Sequence, residues 1–360
     1  MQSVVVWGTG NMGATAIRSA LAFPGLTLTG IITSSDSKVG SDAATFARTG
    51  EPTGVLATMD IDAALAGADA VAYMASGDTR PDEATNDIER CLRAGCHVVT
   101  PSIYALYDPS SAPAALTDRL RAACTAGRAS LIVTGVDPGW ANDALAVLAA
   151  GLCTRINNIR CQEIFDYSTY HQPHAVRVLC GFGMPMSEMP MMLLPGVPTM
   201  VWGGNIRLIA RGLGIEIDEI TESVEREPLA RGLDNEMGHF DEGSQGAFRL
   251  QIIGSVAGTP RVIIDHITRI DPTCAPQWPL PDEGVGEHKV IVDGDPELTI
   301  SVRADVKGGT RADGGNTTAA NRLLGAISWL ADADPDIYNG LDIPLNQQSS
   351  TASTHERWAH

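Results

Sequence analysis

Residues 4–16, VVVWGTGNMGATA, constrain the fold more than any other segment of the chain. An apolar, β-branched run stops at Gly8, and a helix-forming run restarts within a few residues. Gly8, Thr9, Gly10, Asn11, Met12 and Gly13 fit the pattern G-x-G-x-x-G at a strand-to-helix junction. That is the context in which the pattern cradles a dinucleotide. Gly8 permits the tight turn, Gly10 lets the backbone approach a pyrophosphate, and Gly13 lets the helix pack close to the strand. The helix N-terminus then faces the phosphates.

The rhythm of the next 120 residues supports this reading. Apolar runs at 3–7, 26–33, 69–75, 96–100 and 129–134 alternate with Ala-rich amphipathic segments at 12–22, 81–94 and 113–127. Strands that are apolar throughout, alternating with helices, predict a doubly wound parallel sheet covered on both faces. After TGVDPGW (134–140) the pattern changes. Long strand-like runs follow at 155–170, 216–228, 247–258, 261–270, 287–293 and 297–306, with a helix at 204–213. We read these as an α+β domain built on a mostly antiparallel sheet. The segment 316–333 is helical again, with Asn316 or Thr317 as its cap, and the polar tail 346–360 is expected to lie loose or over a partner. The expected divisions are a Rossmann domain over 1–137, a substrate and dimerisation domain over 138–312, a returning helix over 313–345, and the tail.

Charge narrows the ligand. Twenty-five Lys and Arg against 43 Asp and Glu leave a net charge of −18, which argues against nucleic-acid and anionic-membrane partners and for a small-molecule substrate. Neither a signal peptide nor a membrane span is expected. The seven scattered cysteines lack metal-ligand spacing and read as small buried hydrophobes in a reducing cytoplasm.

Cofactor choice is written after the second strand. A carboxylate there selects NAD by binding the ribose 2′-hydroxyl. This chain has Thr33, Ser34 and Ser35, then Asp36 and Lys38. Hydroxyls beside a lysine favour a 2′-phosphate, so NADP is preferred, with NAD retained as the alternative. Ala75, Ser76 and Gly77 close the next strand, and Thr100 and Pro101 the one after. Both ends lie on the carboxyl edge, where open α/β sheets bind their ligands.

Four stretches then resemble a known family: WGTGNMG (7–13), GCHVVTP (95–101), VTGVDPGWANDAL (133–145) and NTTAANRLLGAISWLADADPDIYNGLDIPL (316–345). They are similar to the dihydrodipicolinate-reductase-like group, in its branch of 2,4-diaminopentanoate dehydrogenases and native amine dehydrogenases. The resemblance implies NAD(P)-dependent interconversion of amines with ketones and ammonia. Asp137 and Pro138 in the third stretch and Asn316 in the fourth are further candidate cofactor-binding positions. In that branch a Glu follows the strand equivalent to 96–100. Here the matching positions read Pro101, Ser102, Ile103 and Tyr104, and the first downstream carboxylate is Asp108.

Ser102 and Tyr104 therefore become the candidate proton-handling groups near the cofactor edge, with Glu163 or Asp108 as acids able to replace the missing one. The stretch 162–183 gathers Glu163, Asp166, Tyr167, Tyr170, His171 and His174. His174 is a candidate proton shuttle; no third ligand accompanies the two histidines, so no metal is expected. Trp140, where the chain crosses between domains, joins Phe165, Tyr167 and Tyr170 as candidate substrate contacts. The Met-rich run 181–196 reads either as an adaptable wall or as a core helix or dimer contact. Arg177 is the lone cation near these residues, so the substrate is expected to be largely apolar. Two other classes remain open: a non-catalytic dinucleotide-binding protein, and an alcohol or ketone oxidoreductase that uses no ammonia. A homodimer is expected, because the long strands need cover that few local helices provide.

Overall fold

A computed structural model describes residues 1–77, 79–170, 172–307 and 309–345. His171 and the tail 346–360 lie outside the described residues. The chain divides into two compact units: residues 1–103, 112–135 and 319 onward form the first, and 104–111 with 136–318 form the second.

The first unit contains strands β1 (Gln2–Trp7), β2 (Leu26–Ile32), β3 (Ala57–Thr58), β4 (Ala70–Tyr73), β5 (His97–Thr100) and β6 (Leu131–Val133). Between them run helices α1 (Asn11–Ala22), α2 (Ala43–Ala47), α3 (Ile61–Leu65), α4 (Pro81–Arg93) and α5 (Ala114–Gly127). In the second unit, helices α6 (Ala144–Ala150) and α7 (Val197–Gly212) precede or interrupt strands β7 (Arg155–Asp166), β8 (Glu219–Pro228), β9 (Leu233–Asn235) and β10 (Gly238–Phe240). Strands β11 (Gln245–Val256), β12 (Thr259–Arg269), β13 (Gly286–Asp295) and β14 (Leu298–Val302) complete it. Helix α8 (Arg311–Leu330) and the short strand β15 (Ile337–Tyr338) follow.

The first sheet runs in the order β15-β6-β5-β4-β1-β2-β3, and every pairing in it is parallel. Strand order reverses at β1, between β2 and β4, which is the switch point where such sheets bind ligands. Val4, Val6, Ile31, Ala70 and Val99 form its interior with Ile17 and Ala20 of α1. The late helix contributes Leu323, Leu324, Ile327 and Leu330 to the same core.

The second sheet runs β14-β13-β7-β12-β11-β8. It is antiparallel except between β7 and β12. One face carries Ile159, Cys161, Leu250, Ile252, Val262, Ile264, Val290 and Val292 into a core with Leu145, Trp202, Ile206 and Ile209 of the helices. Alternate residues of a strand share a face. Glu163, His266 and His288 follow the same alternation and therefore project into this core.

Three expectations are corrected. Helix α8 begins at Arg311 rather than at 316, because Thr310 and Asp313 cap it: the Thr310 amide donates to Asp313 Oδ2 at 2.8 Å and the Asp313 amide to Thr310 Oγ1 at 3.2 Å. The 181–196 run is no core helix; Pro185, Pro190 and Pro195 leave it one 3₁₀ turn, Met191–Leu193, with Met189 and Met191 about half exposed. The stretch after Tyr170, expected from Pro173 to be a loop carrying His174, instead forms a π-helical turn, His174–Leu179. No described helix is long and apolar enough to cross a membrane.

Candidate functional site

The glycine turn after β1 has the geometry of a phosphate cradle. Gly8 adopts φ +119°, and a Cβ there would lie 3.0 Å from the backbone of Met74 and Ala75. A Cβ on Gly13 would stand 2.0 Å from the Gly8 carbonyl oxygen, so only glycine lets α1 start this close to the strand. At Gly10 nothing lies within 4 Å of the Cβ position, leaving open space over the first turn of α1, whose N-cap offers no side-chain hydrogen bond. Unsatisfied amides facing open space at a helix N-terminus fit a pyrophosphate.

The loop after β2 is tied to this turn. Lys38 Nζ donates to the Thr9 carbonyl at 2.7 Å, and the Thr9 and Thr33 hydroxyls are 2.9 Å apart. The Ser35 hydroxyl meets that of Ser37, while Ser34 and Asp36 are exposed. The ends of β4 and β5 are stitched together just as tightly. The Thr100 hydroxyl donates to the Tyr73 carbonyl at 2.8 Å, and that of Ser102 to the Ala75 carbonyl at 2.6 Å. Gly77 approaches so closely that a Cβ would sit 1.9 Å from the Ser102 carbonyl oxygen. The Ser102 hydroxyl is thus a structural tie in a buried position.

The second unit holds a different constellation. In the sheet register Glu163 of β7 stands directly between His266 of β12 and His288 of β13. Three strands thereby place an acid between two imidazoles in one row. Asp137, in the turn after β6, closes on this row from the side. Its Oδ1 accepts from Trp202 Nε1 and Asn142 Nδ2, each at 2.6 Å, and a carboxyl oxygen of Asp137 lies within 4.8 Å of one of Glu163. His266 Nδ1 lies 3.2 Å from Glu163 Oε2, and His288 Nδ1 3.8 Å from Asp137 Oδ2. Neither imidazole nitrogen is aligned for a hydrogen bond. The Tyr167 hydroxyl reaches Glu163 Oε1 at 3.4 Å. Trp202 and Phe248 pack on the His266 ring, and Phe165 on that of His288.

Burial and mutual charge drive these groups apart. Burial, and then the Glu163 charge, push the Asp137 carboxyl well above the ordinary carboxylate range. Burial pushes Glu163 the same way, but the His266 charge close by outweighs it and holds Glu163 down at about 2. His266 is raised in turn, since Glu163 overcomes the cost of burying its charge. Burial lowers His288. Two carboxyls whose surroundings separate their proton affinities make an acid–base pair. Atoms of Asp137, Glu163 and His288 also lie within 4.8 Å of one another, a donor set that a metal ion can occupy. The spacing of histidines along the sequence gave no sign of it.

Beside the cluster lies a narrow cavity of about 30 Å³ walled by Val136, Trp140, Phe165, His288 and Val302. Trp140 and Phe165 are thus brought together with the acids, and Tyr167 adjoins Glu163. Tyr170 packs on Tyr167 with the rings tilted at 42° and 4.6 Å between centres, and its hydroxyl accepts from Gln172. The other candidates are placed elsewhere. His174 is exposed. Tyr104 packs against the second unit's core and stacks on Tyr107. Asp108 is fully buried and bound to Arg211 at 2.8 Å; hydrogen bonds from Ser110 and Arg211 outweigh its burial and hold it low. Arg177 donates to the Met237 and His239 carbonyls and lies over the Phe240 ring, so it is committed to the fold. Asn316 sits inside α8 with its amide nitrogen buried and unpartnered among the described residues.

His266 and His288 escaped the reading of the sequence. Their signal is an imidazole at an inward position of an apolar strand, as in IIDHITR (263–269) and EHKVIV (287–292), matched by Glu163 in a third strand.

Comparison with known proteins agrees with this architecture. Residues 2–102 match the dihydrodipicolinate reductase N-terminal domain, and residues 140–355 the C-terminal domain of 2,4-diaminopentanoate dehydrogenase. An amine dehydrogenase of Streptomyces virginiae is 52% identical over 96% of this chain and 97% of its own length. The 2,4-diaminopentanoate dehydrogenase of Acetoanaerobium sticklandii is 25% identical over 60% of this chain and 58% of its own. The solved amine dehydrogenase of Mycobacterium smegmatis shares the fold, with a TM-score of 0.75 at 20% identity over 97% of both chains. With the cradle and both domain matches in place, the chain belongs to the 2,4-diaminopentanoate dehydrogenase and amine dehydrogenase family and is an NAD(P)-dependent oxidoreductase.

Proposed function

We propose that this chain interconverts a small, largely apolar primary amine with the corresponding carbonyl compound and ammonia, using NADP in preference to NAD. The observation that carries the reading is the buried carboxylate pair Asp137–Glu163, flanked by two imidazoles and adjoining a cavity walled by Trp140 and Phe165. Amine oxidation passes through positively charged nitrogen and must remove a proton. A buried anion stabilises the charge and a carboxylate beside it takes the proton, becoming the neutral acid. The cavity of about 30 Å³ admits two or three water-sized groups, by the rough rule of 10–15 Å³ for each, which fits an amino head rather than a bulky polar one. Arg311, the cation on its lining, is engaged with Asp305 and the Gly286 carbonyl, leaving the walls without a clamp for a carboxylate.

When bound, the nicotinamide supplies the hydride donor or acceptor. Gly8, Gly10 and Gly13 with the first turn of α1 hold its pyrophosphate. Lys38, with Ser34 and Ser35, meets a 2′-phosphate, and Lys38 already lies against the Thr9 loop. Ala75, Ser76, Gly77, Thr100 and Pro101 offer backbone to the rest of the dinucleotide. Trp140, Phe165, Tyr167 and Tyr170 exclude water from the substrate.

We also infer a homodimer. The second sheet has α6 and α7 on one face only. Its opposite face carries half-buried Ile253 and Ile291 around the Arg160–Asp265–Arg249 network, with the 274–278 turn covering one end. A dimer mass by light scattering at micromolar protein is the expected result.

The decisive assay follows NAD(P)H oxidation with small apolar ketones, with and without ammonia. Ammonia-dependent turnover is expected, faster with NADPH. Ketone reduction that ignores ammonia would move the assignment to an alcohol or ketone oxidoreductase. Cofactor binding with no turnover across the panel would make the chain a non-catalytic binder.

A further inference from the structure

We propose that Gly315 sets the size of the smaller substituent on the substrate's reacting carbon, leaving room for a methyl group and no more. The inference deepens the amine reading above and rests on it for the identity of the reacting carbon.

A glycine inside a helix costs stability against alanine, because it orders a freer backbone and packs no side chain. Gly13, Gly127, Gly212 and Gly314 are helical glycines with a steric reason: a Cβ on each would stand between 1.7 and 2.6 Å from another atom. Gly315 has no such reason. It is an inner residue of α8, its backbone lies outside the left-handed region, and nothing among the described residues stands within 4 Å of its Cβ position.

What Gly315 does border is the cavity beside the acid–histidine row, which it lines together with Trp140, Phe165 and His288. Its neighbour brings it there. Gly314 lets α8 close on the backbone of Ala304, where a Cβ would meet the carbonyl oxygen at 1.9 Å, and Ala304 is itself on the lining. The first glycine admits the helix, and the second leaves the space beside it open.

Polar groups on the lining are engaged. Thr318 Oγ1 donates to the Gly315 carbonyl at 2.8 Å, and Arg311 is held by Asp305 and the Gly286 carbonyl. The remaining walls, Val136, Trp140, Phe165 and Val302, suit an alkyl group rather than a phosphate or a ribose.

Volume sets the size of that group. At roughly 10–15 Å³ for each water-sized group, a cavity of about 30 Å³ holds two or three. The nitrogen and the carbon that bears it take two places, which leaves space for a single methyl. A Cβ on Gly315 would take that last place. The substrate class is therefore aldehydes and methyl ketones with their amines, the longer arm lying outside the cavity.

Gly315→Ala in the full chain tests this. Alanine forms helix better than glycine, so the melting midpoint should hold or rise by about 2 °C. Ammonia-dependent reduction of butanone should fall at least tenfold relative to that of butanal, since one methylene in an apolar pocket is worth roughly 10- to 200-fold. NADPH affinity should be unchanged. A butanone-to-butanal ratio within threefold of the unaltered chain's overturns the proposal. So does weakened NADPH binding, which would give the open space to the cofactor, and so does a clearly lowered melting midpoint, which would make the glycine structural. Binding reads the same point without turnover. In ligand-detected NMR, butan-2-amine should lose at least tenfold in affinity relative to butan-1-amine, and an unchanged preference overturns the proposal. If the unaltered chain turns over neither butanone nor butanal, the functional reading falls, and the amine preference alone decides the role of Gly315.

Discussion

The glycine turn after β1 and the acid–histidine row of the second sheet are both polar candidate sites, the first open and the second buried, and they are built in opposite ways. The first is local: residues 8–13 determine their own conformation, and a Cβ on Gly13 meets a carbonyl oxygen only five residues back. The second is assembled from Asp137, Glu163, His266 and His288, drawn from a turn and three strands and brought into one row by sheet register.

The sharpest way to break this contrast is at Gly13. Gly13→Ala places a methyl 2.0 Å from backbone, so α1 must move off the strand. Cofactor binding by fluorescence titration should fall below detection for both dinucleotides, while circular dichroism keeps the signature of the second sheet. Retained binding would show that the cradle is less rigid than drawn.

A smaller effect is expected at Lys38. Lys38→Ala removes one cation beside the cradle and leaves the glycines alone. NADPH affinity should weaken at least about tenfold, the scale of one hydrogen bond to a charged group, with NADH nearly unchanged. Equal weakening of both would assign Lys38 to holding the Thr9 loop rather than to the 2′-phosphate.

The smallest effect belongs to Ser102 and Tyr104, in the stretch after β5. Tyr104→Phe should change ammonia-dependent turnover by less than about threefold, because the proposed reading gives the acid–base work to the carboxylate pair. Ser102→Ala should act mainly on stability, by about 1 kcal/mol for the lost tie to the Ala75 carbonyl. A hundredfold loss of turnover in Tyr104→Phe would return the proton to the stretch after β5.

How much was legible follows the same divide. The parallel sheet, the glycine roles and the change to a mostly antiparallel sheet after residue 140 can all be read from apolar periodicity and turn residues. The start of α8 could not. Its first turn reads RADGG, and glycines ordinarily mark a break; here Gly314 is required because a Cβ would lie 1.9 Å from the Ala304 carbonyl oxygen. Phe165, Tyr167 and Glu163 could be singled out from their crowding on one strand. His266 and His288 could not, because their meaning depends on which strands pair and in which register. Asp137 was visible in its motif, yet its partner was not: nothing between residues 137 and 163 says that the two carboxyls lie close together.

Glu163→Gln tests the central claim most directly, since it removes the fixed charge from the row and nearly preserves shape. Ammonia-dependent reduction of a small apolar ketone should be measured beside NADPH affinity in the same preparation. The account predicts turnover lowered by roughly 100- to 10,000-fold with NADPH binding unaltered. Turnover within threefold of the unaltered chain would contradict it and remove the acid–histidine row from the chemistry.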